Sequence, residues 1–434
     1  MIARIRRSEV VRHGALVFAG VVFASLFNYL FYMLLGRRVG VESYGVITSL
    51  ASAMLVVGAP AVVAQLIAAR LAADLETRND LGALRKLSDL VTIYGIGVVL
   101  LVVAGGFGFR QAIAGYFNLA DTDAVVVTLI ALGIFGVVTV QRGVLQGSHR
   151  FGELAASMTI EALAKVVIGV SLAGEFGATG ALIGLAAGSA LAVGYNQYAF
   201  RARFGTERHP VSLEPGLIGR VISHVGIGQL TLTVLMFYDV PLVKHIFDAR
   251  SAGLYAASAL VGRAVMSAIS FVPTLIMPKA TARAAAGRSP FPLLGTAMVM
   301  SCAIVAAAAL LAAAFPRFVV TVIAGKAFAE AAPLVLLYVI ASGCLSLANV
   351  VAAYKMGLHR YDFVIPSLVV AVAEIVVLSL WHPSLLAVVS VLVTGHAGVL
   401  AAMLFRVTAR LTEPVAEERS VLPVWGSAGK SKEA

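Results

Sequence analysis

The sequence predicts an all-α polytopic membrane protein of about 12 transmembrane helices, arranged as two six-helix bundles related by a pseudo-two-fold axis along the membrane normal. Three observations predict it. The 434 residues are 60% hydrophobic and 13% charged, with a mean hydropathy of +0.94, which is more apolar surface than a water-soluble core conceals. Apolar runs of roughly 20 residues, the length that crosses a bilayer, recur along the whole chain with short connections. Short motifs also recur in the same order at offsets of 208, 213 and 210 residues.

The first span is placed at 14–35, behind a basic start carrying Arg4, Arg6, Arg7 and Arg12. It reads as retained, because the apolar part of a cleaved signal peptide is only about 7–15 residues long. Five further spans follow at 46–69, 87–108, 124–145, 154–173 and 177–199. The most polar interior stretch, Arg201 to Gly216, contains Arg201, Arg203, Glu207, Arg208, His209, Glu214 and two prolines. It separates these six spans from six more at 218–246, 254–278, 293–314, 332–353, 362–381 and 384–405. The expected units are an N-terminal bundle at 1–205, a cytoplasmic linker at 206–216, a C-terminal bundle at 217–406 and a disordered cytoplasmic tail at 407–434. The mixed stretches 71–86 and 316–331 read as short interfacial helices.

An even number of spans puts both termini on one side. Placing them in the cytoplasm assigns 24 of the 33 Lys and Arg residues to the inner flanks, Arg142 among them. Seven fall outside: Arg37, Arg38, Arg110, Lys244, Arg250, Arg317 and Lys326; Lys165 and Arg263 lie within spans. The positive-inside rule therefore predicts cytoplasmic termini. It also assigns the net charge of +11 to the membrane surface, not to nucleic acid. Cys302 and Cys344 sit in apolar segments as small hydrophobes, so neither a disulfide framework, a metal site nor a cofactor is expected.

The repeat pairs Ser43-Tyr44-Gly45 with Ser251-Ala252-Gly253, Pro60 with Pro273, and Gly147-Ser148-His149-Arg150-Phe151 with Gly357-Leu358-His359-Arg360-Tyr361. Six spans per unit give both halves the same orientation. Two such bundles can rock about a central cavity. Pro60 and Pro273 free backbone carbonyls within spans and mark bending points, and the two His-Arg turns read as tight connections.

The run Leu35-Gly36-Arg37-Arg38-Val39-Gly40-Val41-Glu42-Ser43-Tyr44-Gly45, the Gly-x-His-Arg turns, and Tyr238-Asp239-Val240 followed by Ala252-Gly253-Leu254-Tyr255 resemble the bacterial polysaccharide-repeat-unit flippases. These belong to the multidrug/oligosaccharidyl-lipid/polysaccharide exporter (MOP) superfamily, with the multidrug and toxic-compound extrusion (MATE) transporters and the lipid II flippase. The resemblance runs over about 14–405 in topology. It implies two bundles that carry an undecaprenyl-pyrophosphate-linked oligosaccharide from the cytoplasmic to the outer leaflet, with other polysaccharide-export proteins as partners. Two further C-terminal spans found among relatives of the lipid II flippase are absent, which favours the polysaccharide branch.

Such cargo needs a wet path, because each sugar hydroxyl or phosphate left without a partner costs a few kcal/mol. Ionisable residues within spans point to one, since each costs about 2.5–3.5 kcal/mol at a helix centre. Arg263, Lys165, Glu161 and Glu374 are the candidates to line a substrate-binding central cavity, with Lys165 and Arg263 attracting pyrophosphate; Glu161, Asp239 and Glu374 are also candidates for a coupling proton or Na⁺. A structural alternative pairs Glu161 with Lys165, four residues apart on one helix face, and Arg263 with Glu374. Asp239, two residues before Pro241, reads as loop-facing or helix-ending. Asn28, Gln65, Gln146, Asn196, Gln197, His224, Gln229, Asn349 and His396 offer hydrogen bonds to sugar or to neighbouring helices. Gln229, Asn28 and Asn349 join Asp239 as a coupling-ion or secondary-cavity set.

Enzymatic signals are weak. Gly429-Lys430-Ser431 imitates the end of a phosphate-binding loop, but position 424 is Val where that motif needs Gly. Asp121 and Asp123 lie in a short connection with no catalytic domain around them. A polysaccharide polymerase or ligase needs a large outer loop, which this spacing lacks. A cation-coupled multidrug or metabolite antiporter is the alternative of the same superfamily; it should gather its acids in one bundle.

Overall fold

A bilayer offers no partner to free N–H and C=O groups, so each spanning backbone must satisfy itself within its own helix. In the computed structural model, which describes residues 20, 23–211, 226–405 and 407, all regular structure is helical. The start of the first predicted span, Glu214, Arg220, His224, Arg406 and nearly all of the predicted tail, including Gly429 to Ser431, lie outside the described residues.

The elements are α1 (23–38), α2 (Val41–Val57), α3 (Ala59–Thr77), α4 (Leu81–Gly108), α5 (Arg110–Tyr116), α6 (Asp123–Gly147), α7 (Phe151–Ala164), a π-helical turn (Lys165–Gly169) and α8 (Val170–Phe204). Then come α9 (Ile227–Phe237), α10 (Asp239–Ile246), α11 (Ala249–Ile269), α12 (Phe271–Ala285), α13 (Phe291–Ala314), α14 (Pro316–Ile323), a 3₁₀ turn (Lys326–Ala331), α15 (Ala332–Gly357), α16 (Val364–Leu380) and α17 (Leu385–Leu404). Among the described residues seven helical runs are long and apolar enough to cross a bilayer, eight when α2 and α3 count as one bent span. The second arm of Phe151–Phe204, the shorter apolar helices α9 and α16, and α1 occupy the remaining predicted positions, so twelve segments match the expected architecture.

Proline explains the breaks. It lacks an N–H and its ring collides with the carbonyl four residues earlier. Pro60 follows the 45° bend between α2 and α3 at Gly58. Pro241 stands three residues after Tyr238, where α9 gives way to α10, and Pro273 three after Ser270, where α11 gives way to α12. The stretch 71–86 corrects one expectation: it divides between the end of α3 and the start of α4 and forms no separate interfacial helix. The stretch 316–331 does form a short helix and a 3₁₀ turn, and its counterpart α5, not anticipated, follows α4 in the same way.

The run 151–204 is a hairpin. Gly177 adopts φ +55° and ψ −130°, a conformation costly for any residue with a Cβ. Beyond it Gly180, Gly184 and Gly188 lie directly against the backbone of Leu172, Gly169 and Glu161 in turn, the descending register of two antiparallel helices. Gly177→Ala is expected to cost about 1–3 kcal/mol, read as a lower melting temperature in detergent; unchanged melting would show that the reversal does not depend on glycine.

Backbone geometry repeats between the halves. Left-handed residues fall at Asn79 and Gly287, Asn118 and Gly325, and His149 and His359, at matching helix ends. Arg150 N donates to Leu145 O and Arg360 N to Lys355 O, both at 2.9 Å, the closing bond of a helix ending on a left-handed residue. The His-Arg turns are thus the same backbone device used twice.

Most direct contacts between the halves lie toward one end of the bundles, called here the Gly40 end; the opposite one is the His149 end. Gly45 and Gly253, equivalent in the repeat, meet backbone to backbone, as residues on a two-fold axis do. Arg37 Nη2 donates to Val322 O at 2.7 Å, and Ser49 Oγ to Val240 O at 3.4 Å. Tyr44 packs edge-on against Phe328, and Tyr116 stacks on His245 with centroids 4.0 Å apart. Asn118 Nδ2 donates to His245 O at 3.1 Å. Asp248 caps α11 here, and bonds from the Ser251 hydroxyl and N–H hold its carboxyl below the usual range. At the His149 end, Arg150–Glu76 and Arg203–Glu153 join helices of the N-terminal half, and Lys355–Asp362 joins elements of the C-terminal half.

Candidate functional site

The break at Tyr238 sets up the C-terminal half of the site. It starts α10 at Asp239, which is buried, not loop-facing as its place before Pro241 suggested. Asp239 Oδ2 accepts hydrogen bonds from Tyr255 Oη (2.9 Å) and Tyr338 Oη, while Oδ1 has no donor among the described residues. Arg263 on α11 reaches toward that oxygen with Nη2 at 3.6 Å. The same guanidinium donates to Ser52 Oγ of the other half at 3.1 Å, approaches Met236 O at 3.5 Å and lies 4.9 Å from the Phe237 ring. Arg263 therefore faces Asp239, and the expected Arg263–Glu374 pair is not formed.

Glu374 on α16 is buried and accepts from Tyr238 Oη at 2.6 Å. Its Oε1 lies 3.5 Å from His396 Nε2. The other His396 nitrogen, Nδ1, lies 3.0 Å from Ala341 O, and a carbonyl only accepts, so Nδ1 carries the proton. In a neutral ring Nε2 then turns a lone pair toward the carboxylate. Two acceptors so placed in an apolar interior need one more proton or a cation between them.

In the N-terminal half, Lys165 opens the π-helical turn, a local underwinding frequent at functional sites. Its ammonium donates to Asn28 Oδ1 of α1 and lies over Phe31, 5.2 Å from the centroid, with Tyr32 at 6.0 Å. Among the described residues no carboxylate lies within ion-pair distance of it. Glu161 pairs instead with Arg142 Nη2 at 2.7 Å and accepts from Ser189 Oγ at 2.7 Å, so the expected Glu161–Lys165 pair is replaced. Arg142 is correspondingly not a flank residue: it lies within α6 and also binds Ser157 Oγ (3.2 Å) and O (3.0 Å). Helix α1 lies between the two cations, with Tyr29 Oη donating to Leu260 O of α11 at 3.3 Å.

The other polar candidates divide. Gln65 bonds Gln146 (3.4 Å), Asn196 bonds Gln141 (3.1 Å) and Gln197 bonds Thr92, tying neighbouring helices. Gln229 is half-buried on α9, and Asn349 is exposed on an otherwise buried stretch of α15. Neither touches Asp239 or Glu374 in the bonds described here. Tyr338 and Arg142 were not foreseen as members: a lone tyrosine or flank arginine carries no sequence signal of the partner that tertiary packing brings to it. Tyr238 and Tyr255 had one signal each, their places in the Tyr238-Asp239-Val240 and Ala252-Gly253-Leu254-Tyr255 motifs.

No protein-family model matches the sequence, and no curated protein matches it. Solved structures do. A multidrug resistance MATE family transporter of the MOP superfamily, in an inward-facing conformation, superposes with a TM-score of 0.70 at 12% identity, covering 88% of this chain and 92% of that one. The lipid II flippase MurJ, inward closed, gives 0.66 at 11% identity over 90% and 87%. A MOP superfamily transporter from Pyrococcus furiosus, described as having a binding pocket of reversed polarity, gives 0.60 at 14% identity over 90% and 93%. The fold is that of the MOP superfamily transporters, and the chain is a multi-pass membrane protein.

Proposed function

We propose that the chain flips an undecaprenyl-pyrophosphate-linked oligosaccharide or polysaccharide repeat unit from the cytoplasmic to the outer leaflet by alternating access, coupled to a proton or Na⁺. The observation that carries this reading is the pair of intramembrane cations, Lys165 from one half and Arg263 from the other, on either side of α1. Lys165 has no carboxylate within ion-pair distance among the described residues, Glu161 being held by Arg142, and Arg263 only a long one at 3.6 Å. Lys165, with no carboxylate within ion-pair distance, is the expensive one in an apolar interior, and a pyrophosphate would supply it with an anion while competing with Asp239 for the loosely held Arg263. Bundles 1–205 and 217–406, joined by 206–216, would then rock about this site. The contacts at the Gly40 end fit a state closed on the outer side, with both termini cytoplasmic in a bacterial inner membrane. The Glu374–His396 contact is the coupling element in this reading, because it needs one added proton or cation.

A second reading has its own support. Asp239 and Glu374 lie in one half, linked through Tyr238, as a cation-coupled multidrug or metabolite antiporter would arrange its acids. One assay separates the two. The protein reconstituted in liposomes is expected to move a fluorescent undecaprenyl-pyrophosphate glycan between leaflets, faster when a proton or Na⁺ gradient is imposed. Cation-driven efflux of a lipophilic dye with no glycan movement would overturn the flippase reading in favour of the antiporter.

A further inference from the structure

At the His149 end, the seam between α4 and the second arm of α8 carries more cation than it neutralises. Arg85 is buried in the first turn of α4, with Nη2 2.9 Å from Asp89 Oδ1. Asp89 Oδ2 is taken by Arg208 Nε at 2.7 Å, so both oxygens of this one carboxylate are engaged. Among the described residues Arg85 Nη1 is left buried with no acceptor, an arrangement that calls for a further partner. Arg201, exposed at the end of α8, has no carboxylate within ion-pair distance among the described residues, and Lys86 stands beside Arg85. The remaining nearby charges are matched: Arg203 with Glu153, and Asp80 with His209 Nδ1 at 2.6 Å and with Ala83 N at 2.9 Å.

Toward the bilayer the same seam is greasy. Thr92 of α4 and Gln197 of α8 bond across it. Ile93 and Tyr198 each follow one residue later, a rotation of about 100°. Because the two helices are antiparallel, those rotations carry both side chains to the same flank, where they are 65% and 70% exposed. Arg201 lies four residues beyond Gln197 and Arg85 seven before Thr92, at the polar end of that flank.

We infer that this seam binds the phosphate of an anionic phospholipid, with Arg85 Nη1 and Arg201 holding the phosphodiester and the acyl chains lying over Ile93 and Tyr198. Guanidinium is the donor best shaped for phosphate oxygens, and a basic pocket between helices at a membrane surface is suited to an acidic headgroup. A free phosphate would use the same two arginines but would leave the apolar flank unused. Arg208 comes from the segment that follows α8, so the bound headgroup would also steady the chain where it leaves the N-terminal half.

The test uses the full chain in detergent, titrated with phosphatidylglycerol, with phosphatidylcholine, or with inorganic phosphate, and read by native mass spectrometry and melting temperature. Phosphatidylglycerol is expected to bind and stabilise, and phosphatidylcholine much less. Arg201→Gln, an exposed change that leaves the Arg85–Asp89–Arg208 contacts in place, should weaken phosphatidylglycerol binding about fivefold, and Arg85→Gln with Arg201→Gln should remove the preference. Retention of the full preference by Arg201→Gln overturns the assignment even if the double variant does not fold. Equal stabilisation by inorganic phosphate or by phosphatidylcholine also overturns it. None of these outcomes depends on which cargo the central site carries.

Discussion

Arg263→Ala is expected to abolish translocation by the reconstituted protein while leaving membrane insertion intact. Asp239 is buried with Arg263 as its one ion-pair partner among the described residues, so removing the guanidinium leaves a carboxylate that the interior must protonate or be destabilised by, at about 3–5 kcal/mol. Loss of transport could then reflect lost structure, and a second variant resolves this. Arg263→Ala combined with Asp239→Asn removes both charges and should recover most of the melting stability. Transport should stay absent, because the cation that would attract pyrophosphate is still missing. Wild-type glycan movement in either variant would take Arg263 out of the site.

Gly253→Val should drive the halves apart at the Gly40 end. A Cβ at Gly253 falls on the Val41 carbonyl, and one at Gly45 falls 2.9 Å from Gly253 N, so neither position has room for a side chain. Forcing one in costs about 1–3 kcal/mol, and in a two-state protein that penalty applies only to the state in which the helices touch, shifting populations by about tenfold or more. Ser49, fully buried and bonded to Val240 O, reports the change. With Cys302 and Cys344 replaced by serine, Ser49→Cys should resist a membrane-impermeant maleimide in the parent and react about tenfold faster when Gly253→Val is added. Equal labelling in both backgrounds would show that the glycine crossing does not hold this end shut.

Much of the architecture was legible in the chain because lipid imposes strong rules. A span needs a minimum length of apolar helix, so the twelve positions could be read from hydropathy alone. Proline and left-handed turn residues act through their own backbone, so the breaks at Pro60 and Pro273 and the paired turns at His149 and His359 could be located from sequence. The ion pairing was not legible. Spacing placed Glu161 beside Lys165, yet Arg142, from another helix, took the carboxylate and left Lys165 to an amide and two aromatic rings. Position before Pro241 suggested that Asp239 ends a helix at the surface. The same proline instead broke the span within the bundle and buried the acid among Tyr255, Tyr338 and Arg263.

By itself the sequence determined that the chain lives in lipid, where its apolar helical segments fall and that spans bend near Pro60 and Pro273, because each of these is settled by residues near one another along the chain; its repeated motifs showed that the halves are alike. Only the tertiary structure decided which charges neutralise one another, which remain without a partner and which end of the bundles is held together. Those outcomes depend on distances between helices far apart in sequence, and an ion pair forms with whichever partner packing brings within reach.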